Sequence, residues 1–208
     1  MNNTIICIGR QLGSGGRTIA KCLADHFGYA FYDKELLNLA ASESGFSEKV
    51  FEQSDERKGF FRTLFRASSP HHVAADPYVF GNQFSEESLF QFQSDAIRKA
   101  AAQGSCVFVG RCADYVLRDH PSLVNIFITA DLDDRISAVA KRHECDEQQA
   151  RHILHERESS RANYYNYYTG KRWGDAASYD LCVNTSPLGI ERSTRLIQQY
   201  IEWMKDEG

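Results

Sequence analysis

One stretch restricts the fold of this chain more than any other: residues 4–20, reading T-I-I-C-I-G-R-Q-L-G-S-G-G-R-T-I-A. The β-favouring and small apolar residues at 5–9 predict a buried strand. Gly13, Gly15 and Gly16 then interrupt the pattern, and beyond them Ile19, Cys22, Leu23 and Phe27 fall at helical spacing, with Gly28 where a C-terminal glycine belongs. The order is strand, glycine loop, helix. Glycines reach backbone angles that turn successive N–H groups into one concavity, and the helix behind brings the positive end of its dipole to the same spot. Such a loop suits an anion, and a phosphate group above all.

The phosphate-loop pattern G-x-x-x-x-G-K-[ST] is met only in part. With Thr18 in the last position of the related form G-x-x-x-x-G-K-G-T, Gly16 stands where the lysine belongs and Arg10 where the first glycine belongs. In such loops the lysine reaches the β and γ phosphates of a nucleoside triphosphate and the hydroxyl holds Mg²⁺. Here the charge has to come from Arg17, one residue later, or from arginines elsewhere, and Thr18 is the expected metal-side hydroxyl. The expected donor site is therefore Arg10, Gly13, Ser14, Gly15, Gly16, Arg17 and Thr18.

Two other meanings of the same residues have to be weighed. As a dinucleotide fingerprint G-x-G-x-x-G, residues 13–18 fail at the third glycine, although Asp33 ends the next predicted strand, where that motif asks for an acid. That choice would make the protein an NAD-binding oxidoreductase. The plainest alternative is a strand-to-helix turn that holds no ligand.

Further along, residues 29–32 predict a short strand delivering Asp33 and Lys34, followed by a helix through Leu36, Leu37, Leu39 and Ala40 that Gly45 closes. Residues 46–94 read as an inserted segment with one helix around Phe60, Phe61, Leu64 and Phe65 and a long loop over 67–85. Its aromatic excess could stack a base or form core or an oligomer interface, so a homodimer is among the states it allows. A helix over 94–103, a strand over 105–109 delivering Gly110 and Arg111, a helix over 112–118 and a strand over 123–129 follow. Asp131 is expected to cap a helix through Ala140, and Asp146 with Gln149 forms a capping box opening the next one. A fifth strand at 179–184 and a helix over 189–204 end the pattern. Strands that alternate with helices predict a parallel α/β sheet with ligands bound beyond its C-terminal edge.

The chain has 208 residues, 42% of them hydrophobic, which suits one domain, 1–208. A formal net charge of −4 argues against a general nucleic-acid or membrane-surface binder. No apolar run of spanning length and no signal peptide stand out, and the six cysteines form no framework, so a cytoplasmic protein with reduced, mostly buried thiols is expected. His143, Cys145, His152 and His155 lie close in sequence, but among charged residues on a solvated helix they are not taken for a metal site.

Arg157 and Arg161, at i and i+4, share a helical face that can grip phosphate oxygens and neutralise charge on a phosphoryl group in transfer. The same residues could instead make surface ion pairs with Glu158 and its neighbours. Taken together, G-R-Q-L-G-S-G-G-R, F-Y-D-K-E-L, V-G-R at 109–111, I-F-I-T-A-D-L-D-D-R ending at Arg135, R-E-S-S-R at 157–161 and Y-D-L-C-V-N-T-S resemble the cytidylate kinase-like family of the nucleoside monophosphate kinase group. The resemblance spans nearly the whole chain. It implies a phosphate-loop fold with a five-stranded parallel sheet flanked by helices, an acceptor-binding insertion at about 46–94 and an arginine-bearing lid at about 146–175. It also implies transfer of the γ-phosphoryl of ATP, with Mg²⁺, to a nucleoside monophosphate such as CMP or a related small phosphorylated acceptor. Arg111 then matches an acceptor-binding arginine, with Cys112 where the family has aspartate. Asp33 falls in the acceptor region, Glu158 stands at the lid aspartate, and Arg157, Arg161 and Arg17 are the catalytic cations. A catalytically weak nucleotide-binding module of the same fold is the alternative.

Overall fold

The computed structural model describes residues 3–34, 37 and 86–206. The elements expected at 36–45, at 60–65 and over 67–85, and nearly all of the inserted segment, lie outside them. The described elements are β1 (Ile5–Arg10), α1 (Gly16–Phe27), β2 (Ala30–Tyr32), α2 (Glu86–Gln103), β3 (Cys106–Val109), α3 (Ala113–Val116), β4 (Leu123–Thr129), α4 (Leu132–His143), α5 (Glu147–Thr169), β5 (Leu181–Asn184) and α6 (Gly189–Asp206). A 3₁₀ turn, Ala176–Ser178, precedes β5.

All five strands run parallel in the order β2-β3-β1-β4-β5. Strand β1 lies in the middle, paired with β3 on one side and β4 on the other, with Ile8 opposite both Val109 and Ile126. In the dinucleotide-binding order 3-2-1-4-5-6, β1 would instead neighbour β2. The oxidoreductase alternative therefore lacks its topology as well as its third glycine.

Side chains alternate across the sheet, and each face receives its own helices. Ile5 and Cys7, with Tyr32, Cys106 and Phe108, face Ala96, Ile97, Ala100 and Ala101 of α2 and Ala113 of α3. Ile6 and Ile8, with Val107, Val109, Ile126 and Ile128, face Ile19, Leu23 and Ala24 of α1 and Ile197 and Ile201 of α6. Such two-sided burial is why β1, β3 and β4 read as continuous apolar runs. A third cluster joins Ile136 and Val139 of α4 to Ala150 and Leu154 of α5, with Leu12 of the glycine loop packed against it. The loop is thus gripped by the helix pair that carries the arginines.

Some boundaries differ from expectation. Helix α1 begins at Gly16, ahead of its apolar stripe, because the glycine loop itself forms the first turn. Helix α3 is only Ala113–Val116, since Arg111 and Cys112 take left-handed angles and cannot join it. Asp146 caps α5 as predicted, its carboxylate accepting from the Gln149 N–H at 2.8 Å. Asp131 precedes α4, but its carboxylate accepts from Asn184 at 2.9 Å and makes no capping bond. Of the six cysteines, Cys7, Cys106 and Cys112 are buried and all are free; Cys22 and Cys182 are exposed, on the outward side of α1 and on an edge strand. Among the described residues no helix is long and apolar enough to cross a membrane.

Candidate active site

A cavity of about 420 Å³ opens at the C-terminal edge of the sheet, where the ends of β1 and β3 and helix α5 converge with Leu12 and Arg17, the residues that flank the glycine loop; Gly13, Ser14, Gly15, Gly16 and Thr18 do not line it. Gly13 (φ 82°) and Gly15 (φ 77°) adopt left-handed angles, and Gly15 precedes α1 with no side chain capping the helix. Alternation of this kind forms the anion-binding concavity expected of such a loop. A side chain at Gly13 would also meet the Arg135 backbone, 2.7 Å from the Cβ position. The loop is fixed from below: the Ser14 hydroxyl donates to the Gln11 carbonyl at 2.9 Å, and the Thr185 hydroxyl lies 3.0 Å from the Ser14 carbonyl. Thr18 is exposed in the first turn of α1.

Helix α5 passes over the opening. Arg157, Ser160, Arg161, Tyr164 and Tyr165 all line the cavity, so one face of the helix is cationic at the loop end and phenolic at the other. Arg161 donates to the Arg10 carbonyl at 3.2 Å. Burial lowers its pKa; Glu158 opposes this, and the like charges of Arg157 and Arg142 add to it. A desolvated guanidinium beside other cations is a strong place for an anion.

Of the expected residues, Arg10, Arg17, Asp33, Arg111, Arg157 and Arg161 share this cavity. Arg17, Asp33 and Glu158 make contacts other than those expected of them. Arg17 donates through Nε and Nη2 to Asp33, at 3.2 and 2.5 Å, so cation and acid expected at opposite substrates are paired with one another. Asp33 is buried, whereas Arg17 remains more than half exposed. Glu158 is directed to the protein: its Oε1 accepts from Arg135 at 2.6 Å and from the Leu12 N–H at 3.2 Å, fastening α5 to α4 and the glycine loop. Arg135 is the side chain that the motif quoted above ended on, and its burial supplies the reason for the pair.

The end of β3 carries backbone strain. Gly110, Arg111 and Cys112 have φ of 73°, 59° and 55°, and left-handed angles cost non-glycine residues roughly 1–2 kcal/mol each. The turn aims Arg111 at the cavity, where its guanidinium lies over the Tyr164 ring, 5.1 Å from the centroid. It also tucks Cys112 inside and brings Asp114, two residues on, to the cavity wall. The Tyr165 hydroxyl donates to Asp114 at 2.7 Å. Asp114 has its pKa raised by burial, an effect that Tyr165 and Lys171 partly offset. Burial pushes Tyr164, Tyr179 and Cys112 up to about 12, so all three stay neutral around it.

Asp114, Tyr164, Tyr165, Tyr179 and Lys34 line the cavity and were not foreseen as binding residues. A usable signal existed for one pair: Tyr164 and Tyr165 follow Arg157 and Arg161 by one and two helical turns on the same face. Among the described residues there is no group of three or more His, Cys, Asp or Glu side chains able to hold a metal. His152 lies 3.4 Å from Glu156. A magnesium ion carried on a triphosphate asks little of the protein, since phosphate oxygens and water supply most of its shell. Thr18, two residues beyond Gly16, is exposed and is the hydroxyl expected to meet that demand.

A five-stranded parallel sheet with a glycine loop leading into α1 and arginines closing over it defines a phosphate-loop nucleotide kinase fold. The model of the cytidylate kinase-like family matches residues 5–187, and the chain belongs to that family. It is 26% identical over 208 residues to a cytidylate kinase of Methanopyrus kandleri, covering 96% of this chain and 94% of the relative. A cytidylate kinase of Pyrococcus horikoshii is 25% identical over 205 residues, covering 98% and 91%. Among solved structures, an uncharacterized protein from Eubacterium ventriosum superposes with a TM-score of 0.72 at 29% identity, covering 96% of this chain and 98% of that one. Shikimate kinase from Bacteroides thetaiotaomicron shares the fold, with a TM-score of 0.52 at 13% identity over 96% and 98% of the two chains.

Proposed function

We propose that this protein transfers the γ-phosphoryl group of ATP to a nucleoside monophosphate in the cytoplasm, with CMP the foremost acceptor. The observation that carries the proposal is the polarity of α5 over one cavity: Arg157 and Arg161 near the glycine loop, Tyr164 and Tyr165 with Asp114 at the other end. A nucleotide has the same polarity.

The loop N–H groups of Gly13 to Arg17 and the start of α1 hold the donor phosphates. Thr18 is the residue that would hold Mg²⁺, which when bound would neutralise phosphate charge. Arg111 faces the acceptor phosphate. Its oxygen attacks the γ phosphorus as the bond to the β-bridging oxygen breaks and ADP leaves, and Arg157 and Arg161 stabilise the charge spread over the transferring group. At the far end the Asp114 carboxylate can accept a hydrogen bond from an exocyclic amine, as cytosine presents; the carbonyl oxygen of uracil at that place would be repelled. This role falls to Asp114 because Cys112 is a neutral, buried thiol.

A coupled assay with ATP or GTP against CMP, dCMP, UMP, AMP and GMP tests the proposal. CMP should be phosphorylated with kcat/KM about tenfold or more above UMP, the discrimination one good base contact provides. ATP binding without turnover of any acceptor would favour a nucleotide-binding module instead. A rise in melting temperature with NAD but not ATP would remove both.

A further inference from the structure

The glycine loop lacks its lysine; Arg17, the nearest cation in sequence, and Arg10 both have partners within the protein, Arg17 in buried Asp33 at 2.5 Å, so what distinguishes them is where their side chains lie. Another side chain occupies the lysine's place. A Cβ added at Gly16 would lie 2.6 Å from Arg10 Cβ, 3.1 Å from Arg10 Cγ and 3.2 Å from Ile128 Cβ. The first two are atoms at the root of the Arg10 side chain, which cannot swing clear. Any residue larger than glycine at 16 is therefore incompatible with Arg10 as it stands. From there the Arg10 side chain continues across the cavity until its Nη1 packs against Gly110, where a Cβ would strike it. Gly110 in turn donates its N–H to the Ile8 carbonyl at 3.1 Å, so this contact point is anchored to β1. The Arg10 carbonyl is held by Arg161 at 3.2 Å, which ties the same residue to α5.

We infer that Arg10 and Gly16 are an exchanged pair: an arginine at the position of the loop's first glycine supplies the phosphate-binding cation, and a glycine at the lysine position makes room for it. The ligand class is the β and γ phosphates of a nucleoside triphosphate, so the inference rests on the kinase reading of the site. Arg17 then acts on the loop from its side, as the partner of Asp33.

The exchange can be reversed. Arg10→Gln keeps a stem over Gly16 and removes the charge; it should lower kcat by about 100-fold, the scale for losing one preorganised donor to the transferring group. Arg17→Ala should cost at least several-fold less than Arg10→Gln. Gly16→Lys alone should be as impaired as Arg10→Gln or worse, because the lysine meets the Arg10 stem. The double variant Arg10→Gly with Gly16→Lys returns glycine and lysine to their ordinary places and should regain at least about tenfold over Arg10→Gln. Each variant is melted by circular dichroism, and ATP affinity is measured directly by calorimetry, so a folding defect is separated from a lost contact. Wild-type turnover with Arg10→Gln unimpaired, with Arg17→Ala the more damaging, or with no recovery in a folded double variant, would overturn the inference and leave the kinase reading standing. A wild-type protein that neither binds ATP nor turns over any acceptor would overturn both.

Discussion

Asp114 sits where burial and hydrogen bonding pull its proton affinity in opposite directions. Burial is the larger influence and raises its pKa above the ordinary 3.8, while the Tyr165 hydroxyl, Lys171 and the nearby backbone N–H groups pull it back. The folded protein consequently holds this proton more tightly than the unfolded chain does. Its contribution to stability is complete below 3.8 and is lost as pH rises through the higher folded value. Asp114→Asn has no such titration, so urea melts of the two proteins should diverge in the variant's favour as pH climbs past 3.8 and run parallel above the folded pKa. Divergence in the opposite direction would show that Tyr165 and Lys171 outweigh burial. The amide can donate as well as accept, so the same variant should lose preference for CMP over UMP in the coupled assay. Glu158 makes a different kind of contact. Glu158→Ala would leave Arg135 buried without its partner and strip the Leu12 N–H of its acceptor, which should cost on the order of 3 kcal/mol in chemical denaturation. Glu158→Gln, which keeps a neutral acceptor, should cost clearly less, and equal losses would show that charge plays no part in the fastening.

At the scale of elements, α5 joins the two ends of the cavity, and how far it could be read from sequence is instructive. Its start is encoded locally, by the Asp146 cap, and its arginines repeat at one-turn spacing, so both were predictable. Its partners were not. Tyr165 meets Asp114 only because β3 lies next to β1 in the sheet and because two non-glycine residues, Arg111 and Cys112, turn left-handed, a conformation no propensity favours. The pairing of Arg17 with Asp33 likewise depends on α1 and the end of β2 meeting at one edge of the sheet. Strand β4 was predictable at 123–129 because two-sided burial writes a continuous apolar run. Helix α2 begins earlier than its apolar stripe suggests: its first half mixes polar and aromatic residues, and Phe90 there stacks on Tyr168 of α5 at 3.9 Å. Tertiary contact, more than local pattern, makes that half helical. If α5 works as one bar, Arg161→Ala should do more than remove a charge, since it also frees the Arg10 carbonyl. The expected result is a kcat lower by about 100-fold or more with a smaller change in acceptor KM. Arg161→Lys should recover little, because an ammonium cannot reproduce the planar fork. Full rescue by lysine would mean that only the charge matters.

For the whole molecule the question is how a chain with a formal net charge of −4 attracts two polyanions. The answer lies in distribution. Among the described residues, Arg10, Arg17, Lys34, Arg111, Arg157 and Arg161 line the cavity against Asp33 and Asp114, so the sign of this lining is opposite to the global one. A cleft of one sign with low-dielectric walls focuses its field outward and raises the local concentration of oppositely charged ligand. Such a field is open to screening. Raising ionic strength from about 0.1 to about 1 M shortens the Debye length from about 10 to about 3 Å. KM for ATP and for the acceptor should therefore rise several-fold over that range, while kcat, set by contacts made inside the cavity, should change much less. Arg157 is exposed, so Arg157→Ala should flatten the salt dependence of KM more than it alters kcat. Initial rates measured across a potassium chloride series, with Mg²⁺ and pH fixed, give all three slopes, and a KM that stays level from low to high salt would show that the cavity arginines act by contact alone and not through their collective field.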